Sequence, residues 1–214
     1  MDVLKFPTRN LSSHSMKRLL LIALSPLLFV LPAQSAIIYS GLQNIAIPTD
    51  FNGIYIDIDD ASTSLSDFAG ADINPFFGGS GLYNSASFQP VRSGTNFDDA
   101  IVRLDSGTLV SSSSVYSLGV GISGSPNNHV GLGANQFFPG MEGYMGFKFT
   151  TNGSAGPFYG WMRVVFTSNT AGGVIKDWAY DNTGAPIIVP EPGRAVLLLF
   201  GLAYASTVRR RRLT

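Results

Sequence analysis

Two stretches of strict alternation constrain this chain more than any other feature. Met145, Phe147 and Phe149 alternate with Tyr144, Lys148 and Thr150. Farther on, Met162, Val164 and Phe166 alternate with Trp161, Arg163 and Val165. Side chains on a strand point to opposite faces at every step, so period-two alternation puts the apolar set on one face of a sheet. Between them lies Asn152-Gly153-Ser154-Ala155-Gly156-Pro157, a loop composition. The two runs read as an antiparallel hairpin or as adjacent strands.

The rest of the middle follows the same rule. Asn52-Gly53 carries the signal of a type I′ turn. After it, Ile54, Ile56 and Ile58 share one face and Tyr55, Asp57 and Asp59 the other. Further strands are expected at 37–47, 82–91, 100–104, 115–122, 173–180 and 185–189, with no helical period of any length and no clean internal repeat. The segment 62–80, rich in Ser and Gly and containing Phe76-Phe77, reads as a long loop. Some eight short strands separated by turns predict an all-β fold, an antiparallel β-sandwich with the jelly roll as one topology left open. The expected domain covers 36–188.

The two ends differ from this body. Met16-Lys17-Arg18 precedes thirteen mostly apolar residues, Leu19 to Leu31, and then small residues. That is the pattern of a secretory signal helix, so 1–35 reads as a signal peptide, started at Met1 or Met16 and cleaved after Ser35 or Ala36. An N-terminal membrane anchor is the other reading. The short apolar core and Pro26 weigh against it. At the far end, an uncharged stretch of fourteen residues from Ala195 to Val208 is followed by Arg209-Arg210-Arg211-Arg212. As a helix those fourteen residues span roughly 21 Å, short of a hydrocarbon core of about 30 Å. They suit a short or strained transmembrane helix whose Arg block stays on the cytoplasmic side as a membrane stop. The body would then lie outside.

Between Ala36 and Val189 there are twelve acidic and five basic residues, a net of −7. An acidic body argues against nucleic-acid binding. The chain has no cysteine, which removes thiolate chemistry, zinc–thiolate sites and disulfides.

The tail is preceded by Val189-Pro190-Glu191-Pro192. Pro190, Glu191 and Pro192, the short apolar stretch and the terminal arginines together resemble the PEP-CTERM sorting signal of Gram-negative bacteria. The resemblance covers about 25 residues, 189–214, and Arg194 departs from it as a charge between motif and helix. It implies recognition and processing by an exosortase, a membrane-embedded cysteine transpeptidase-like enzyme, after export through the Sec translocon and removal of the leader by signal peptidase. It also implies a transient stay in the cytoplasmic membrane and a final place at the cell surface or in a biofilm matrix. Gly143-Tyr144-Met145-Gly146-Phe147-Lys148-Phe149, Tyr159-Gly160-Trp161-Met162-Arg163-Val164 and Asp177-Trp178-Ala179-Tyr180 are similar to runs that recur upstream of such tails, with Asp181 in place of the usual Glu. That similarity implies no biochemical activity.

Residue types in the body offer little to an enzyme. His129 is the sole histidine after the leader, and no Gly-x-Ser-x-Gly elbow surrounds Ser111 to Ser114, so a Ser–His–acid triad and a His-based metal site are not expected. Ser123 to His129 reads as a turn. No phosphate-binding glycine loop opens a helix. Carboxylates recur at Asp57, Asp59 and Asp60, and at Asp98, Asp99 and Asp105. They leave three uses open: a solvated face, a calcium site, or the acid pair of a secreted hydrolase. Tyr144, Tyr159, Trp161, Trp178 and Tyr180 are read as core and cross-strand packing, with sugar stacking as the alternative. Trp161 is the best placed for stacking, since it alternates away from Met162, Val164 and Phe166. The leading expectation is a non-enzymatic surface or matrix protein without cofactor. The alternatives are an exopolysaccharide-binding sandwich and an Asp-based hydrolase.

Overall fold

The computed structural model describes residues 36–117, 121–123, 129–153 and 155–191, with the backbone alone at 121–123. The signal peptide at 1–35 and the tail from Pro192 through Arg209–Arg212 lie outside the described residues, as does most of the turn expected at 123–129.

The described chain is all-β and antiparallel, with one 3-10 turn at Phe77–Gly79. No described helix is long and apolar enough to cross a membrane. The strands, in chain order, are β1 (Ile37–Tyr39), β2 (Ile45–Ala46), β3 (Tyr55–Ile56), β4 (Thr63–Ser64), β5 (Ile73–Phe76), β6 (Gly81–Asn84), β7 (Phe88–Pro90), β8 (Arg103–Leu104), β9 (Leu109–Val110), β10 (Gly121–Ser123), β11 (Glu142–Phe149), β12 (Phe158–Val165), β13 (Val174–Asp181) and β14 (Ile187–Ile188). One sheet runs β1-β13-β12-β11-β7, with β2 also on β13 and β8 also on β11; a second runs β10-β6-β5-β3-β4; β9 and β14 form a two-stranded ribbon.

The expected hairpin is present. β11 and β12 pair from Glu142↔Val165 to Phe149↔Phe158, so Met145 faces Met162 and Phe147 faces Gly160 across the ladder. Gly160 has no side chain because none fits: a Cβ there would sit 2.2 Å from the Phe147 ring and 2.7 Å from the Ala179 carbonyl. One apolar cluster draws Met145, Phe147, Phe149, Met162, Val164 and Trp178 from the first sheet and Ile56, Ile73 and Leu82 from the second. Ile54, Ile56 and Ile58 are buried together, as their alternation requires. A second cluster lies on other side chains of β11–β13, among them Tyr144, Tyr159, Trp161 and Ala179, with Val110, Ile187 and Val189 from the β9–β14 region.

Two expectations are corrected here. Asn52-Gly53 does not form a type I′ turn, which needs positive φ at both central residues. Gly53 has φ +66°, but Asn52 is not among the positive-φ residues. The Asp50 carboxylate instead accepts from both the Asn52 and Gly53 N–H groups, at 2.9 and 3.2 Å, and sets a local turn of its own. The segment 62–80 is also not one loop, because it contains β4 and the fully buried β5. Pro75 conceals β5 in the sequence, since proline normally marks an edge. Its carbonyl accepts from Ile54 at 3.1 Å on the β3 side. On an extended residue the missing N–H faces that same side, where pairing with β3 has narrowed to Ile56↔Ile73.

Candidate functional site

Burial of β5 brings a third carboxylate to the pair that the sequence singled out. Asp57, Asp59 and Asp72 each offer an oxygen, all within 4.8 Å of one another. Asp57 and Asp72 are buried and Asp59 half-buried. Asp57 follows β3, and Asp72 immediately precedes β5 on the neighbouring strand. Asp72 accepts from the Ile58 N–H at 2.9 Å and from the Ser87 hydroxyl at 3.0 Å. Asp57 accepts from the Asp60 N–H at 3.0 Å and from the Asn152 amide at 2.8 Å. The Asn152 backbone N–H donates to Asp59 at 3.3 Å, so the β11–β12 loop is tied onto the cluster.

No cation is among these hydrogen-bond donors, and the electrostatics follow from that. Burial, with Asp57 and Asp59 close by, pushes the Asp72 carboxyl up to about 7. Burial and a hydrogen bond with Asp57 push Asp59 up as well. A retained proton relieves the repulsion. A hard cation such as Ca²⁺ would relieve it too, since two oxygens at the usual 2.3–2.6 Å from calcium lie up to about 5 Å apart. Three carboxylates supply only part of the six to eight oxygens calcium takes. A sugar has no access here: the buried Asp57 and Asp72 cannot flank a glycosidic bond in a cleft.

Asp72 gives the domain a distinctive pH response. A carboxyl raised in the folded state stabilises the fold below its unfolded pKa, and that stability is lost as pH rises through about 7. His129 works in the opposite sense. Burial holds it down to about 4, so its contribution is present above about 6.5 and is lost as pH falls toward 4. From pH 8 to 6.5 the unfolding free energy should therefore rise, by up to about 1.4 kcal/mol per pH unit from Asp72 alone, and the melting temperature with it. Below 6.5 the rise should flatten as His129 opposes it. Thermal melts of Asp72→Asn should show higher stability at pH 8 and no rise on acidification; an unchanged slope would remove Asp72 as its source.

The other candidates are accounted for by structure. His129 is wholly buried, its ring edge-on to Phe137 and Phe166, with Nε2 at 2.7 Å from the Gly79 carbonyl. A triad needs that nitrogen free for a serine. Ser111, Ser113 and Ser114 bond among themselves in a turn. Asp99 accepts from the Asn96 N–H, and Asp105 pairs with Arg103. A depression of about 470 Å³ beside Ile101 and Gln136 has no ionisable side chain in its lining.

Trp161 is 7% exposed. Its ring packs edge-on to Tyr144 at 5.6 Å and tilted to Tyr39 at 6.4 Å. The exposed face that sugar stacking at Trp161 requires is absent, because the β9–β14 ribbon contributes apolar side chains to the same cluster. Alternation sets which face a side chain takes. It is silent on whether another layer covers that face. Tyr144, Tyr159, Trp178 and Tyr180 are buried as well.

Pro190 and Glu191 are the last residues that the structure describes. Val189 is buried, donates its N–H to the Thr108 carbonyl at 2.9 Å and accepts from Gly107 N–H at 2.9 Å. Pro190 is half-buried and Glu191 exposed. No family model, curated protein or solved structure matches this chain.

Proposed function

We propose that this chain is an exported protein of the bacterial cell surface or extracellular matrix, a β-sandwich carried by a removable leader and a processed tail. In this reading the Sec translocon exports it, signal peptidase removes 1–35, and the apolar tail with Arg209–Arg212 holds it in the cytoplasmic membrane. An exosortase then acts near Pro190, Glu191 and Pro192. The domain itself is non-enzymatic.

One observation carries the reading. Among the described residues, the last that is buried is Val189, one position before Pro190, and its backbone is bonded to Gly107 and Thr108. The last described strand, β14, ends at Ile188, so a cut at or beyond Pro190 would leave every described strand whole. The occupied partners of His129, Asp99 and Asp105 support the non-enzymatic part, and the acidic body argues against a nucleic-acid partner.

Pulse-labelling in a host with and without its exosortase tests the proposal. The labelled chain should shorten at its C-terminus only where the exosortase is present. An identical C-terminus in both hosts would refute the sorting step.

A further inference from the structure

The exit of the chain also carries an exposed apolar pair. On the β9–β14 ribbon, Val110 and Ile187 face each other and are buried, while Leu109 and Ile188 face each other and are 51% and 60% exposed. These outward side chains belong to the strand that ends just before Val189 and to its partner. Four Cα steps lead from Glu191 to Ala195, the first residue of the apolar stretch. Fully extended, they cover no more than about 14 Å. The polar headgroup zone on one side of a bilayer is roughly 5–8 Å deep. With the tail in the membrane, Glu191 can therefore stand no more than about 9 Å above the headgroups, and Ile188 lies only three residues before it.

We propose that, while the tail is in the membrane, Leu109 and Ile188 dock the domain onto the lipid headgroup region. The inference rests on the tail reading of the proposed function. The occupant is committed by proximity: a tether this short keeps the bilayer within reach of the end of the ribbon that carries Leu109 and Ile188. Two apolar side chains add a weak contact. Docking fixes the orientation of the motif, and placing Pro190–Pro192 at membrane depth is what a membrane-embedded enzyme needs.

The absence of native cysteine makes the test direct. Single-cysteine variants Leu109→Cys, Ile188→Cys and Leu65→Cys would be made in the full chain and labelled with a polarity-sensitive fluorophore. Leu65 is 70% exposed and follows β4, in the other sheet. The chains would be inserted into vesicles of phosphatidylethanolamine and phosphatidylglycerol, with nitroxide quencher on the acyl chains. Flotation shows first whether the chain is membrane-held. In floating vesicles, labels at 109 and 188 should be quenched at least twofold more than the label at 65. Equal quenching at the three positions in floating vesicles would overturn docking and leave the membrane tail standing. Failure to float would overturn both.

Discussion

Trp178→Ala should cost about 3–5 kcal/mol, the range for truncating a large buried aromatic. Trp178 is almost wholly buried in the main apolar cluster, and its indole N–H donates to the Ile58 carbonyl at 3.1 Å. The substitution opens a cavity and leaves that carbonyl unpaired inside the fold. A domain of this size has about 5–15 kcal/mol in total, so the variant would lie close to unfolding. Trp178→Phe refills most of the space and loses the hydrogen bond, so it should cost about 1–3 kcal/mol. Urea unfolding of the two variants separates the contributions. Equal losses would mean that the hydrogen bond, not the packing, dominates.

The second large effect lies on the opposite side of the same strand. Arg163 on β12 and Asp177 on β13 are direct partners across the ladder. The guanidinium grips the carboxylate at both oxygens, with Nε 3.0 Å from Oδ1 and Nη2 against Oδ2. The Tyr39 hydroxyl donates to the same carboxylate at 2.8 Å, which fastens β1 to β13. Burial, and then that bond, push the Tyr39 hydroxyl up to about 12. Asp177→Ala strips both partners at once. Breaking a buried pair by removing one member costs about 3–5 kcal/mol. The lower end is expected here, because Arg163 keeps Glu142 at 3.3 Å and some contact with solvent. The double replacement Arg163→Met with Asp177→Leu removes both charges and should be milder than either single change. A double variant as unstable as the sum of the singles would contradict this account of the pair.

The sequence discloses the fold where one face of a strand is apolar and the other is not. The β11–β12 hairpin is legible for that reason, down to the side on which Met145 and Met162 lie. It fails where a strand is short and its residues do not alternate in type, as in Ile73-Asn74-Pro75-Phe76. β5 is flanked by packing on every side and carries Pro75, so its alternation vanishes and Asp72 goes unnoticed with it. The carboxylate cluster was accordingly half visible: Asp57 and Asp59 are two apart on one run, but their third member comes from a strand thirteen residues beyond Asp59. Trp161 illustrates a different limit. Its face was read correctly, yet the β9–β14 ribbon that helps to bury it pairs residues almost eighty positions apart. No local pattern encodes that. At Asn52-Gly53 the turn is decided by Asp50, two residues upstream, whose carboxylate accepts from both N–H groups, and the Asn-Gly signal does not disclose that.

The central claim is that the folded module is freed at both ends: from its leader before the first strand and from its tail after the last. Intact-mass analysis of the protein from its native cells reads both ends in one experiment. The account predicts a chain beginning at Ala36 or Ile37 and ending within or just beyond Pro190–Pro192. A mass matching an unprocessed polypeptide through Thr214, with Leu19–Leu31 still attached, would contradict it.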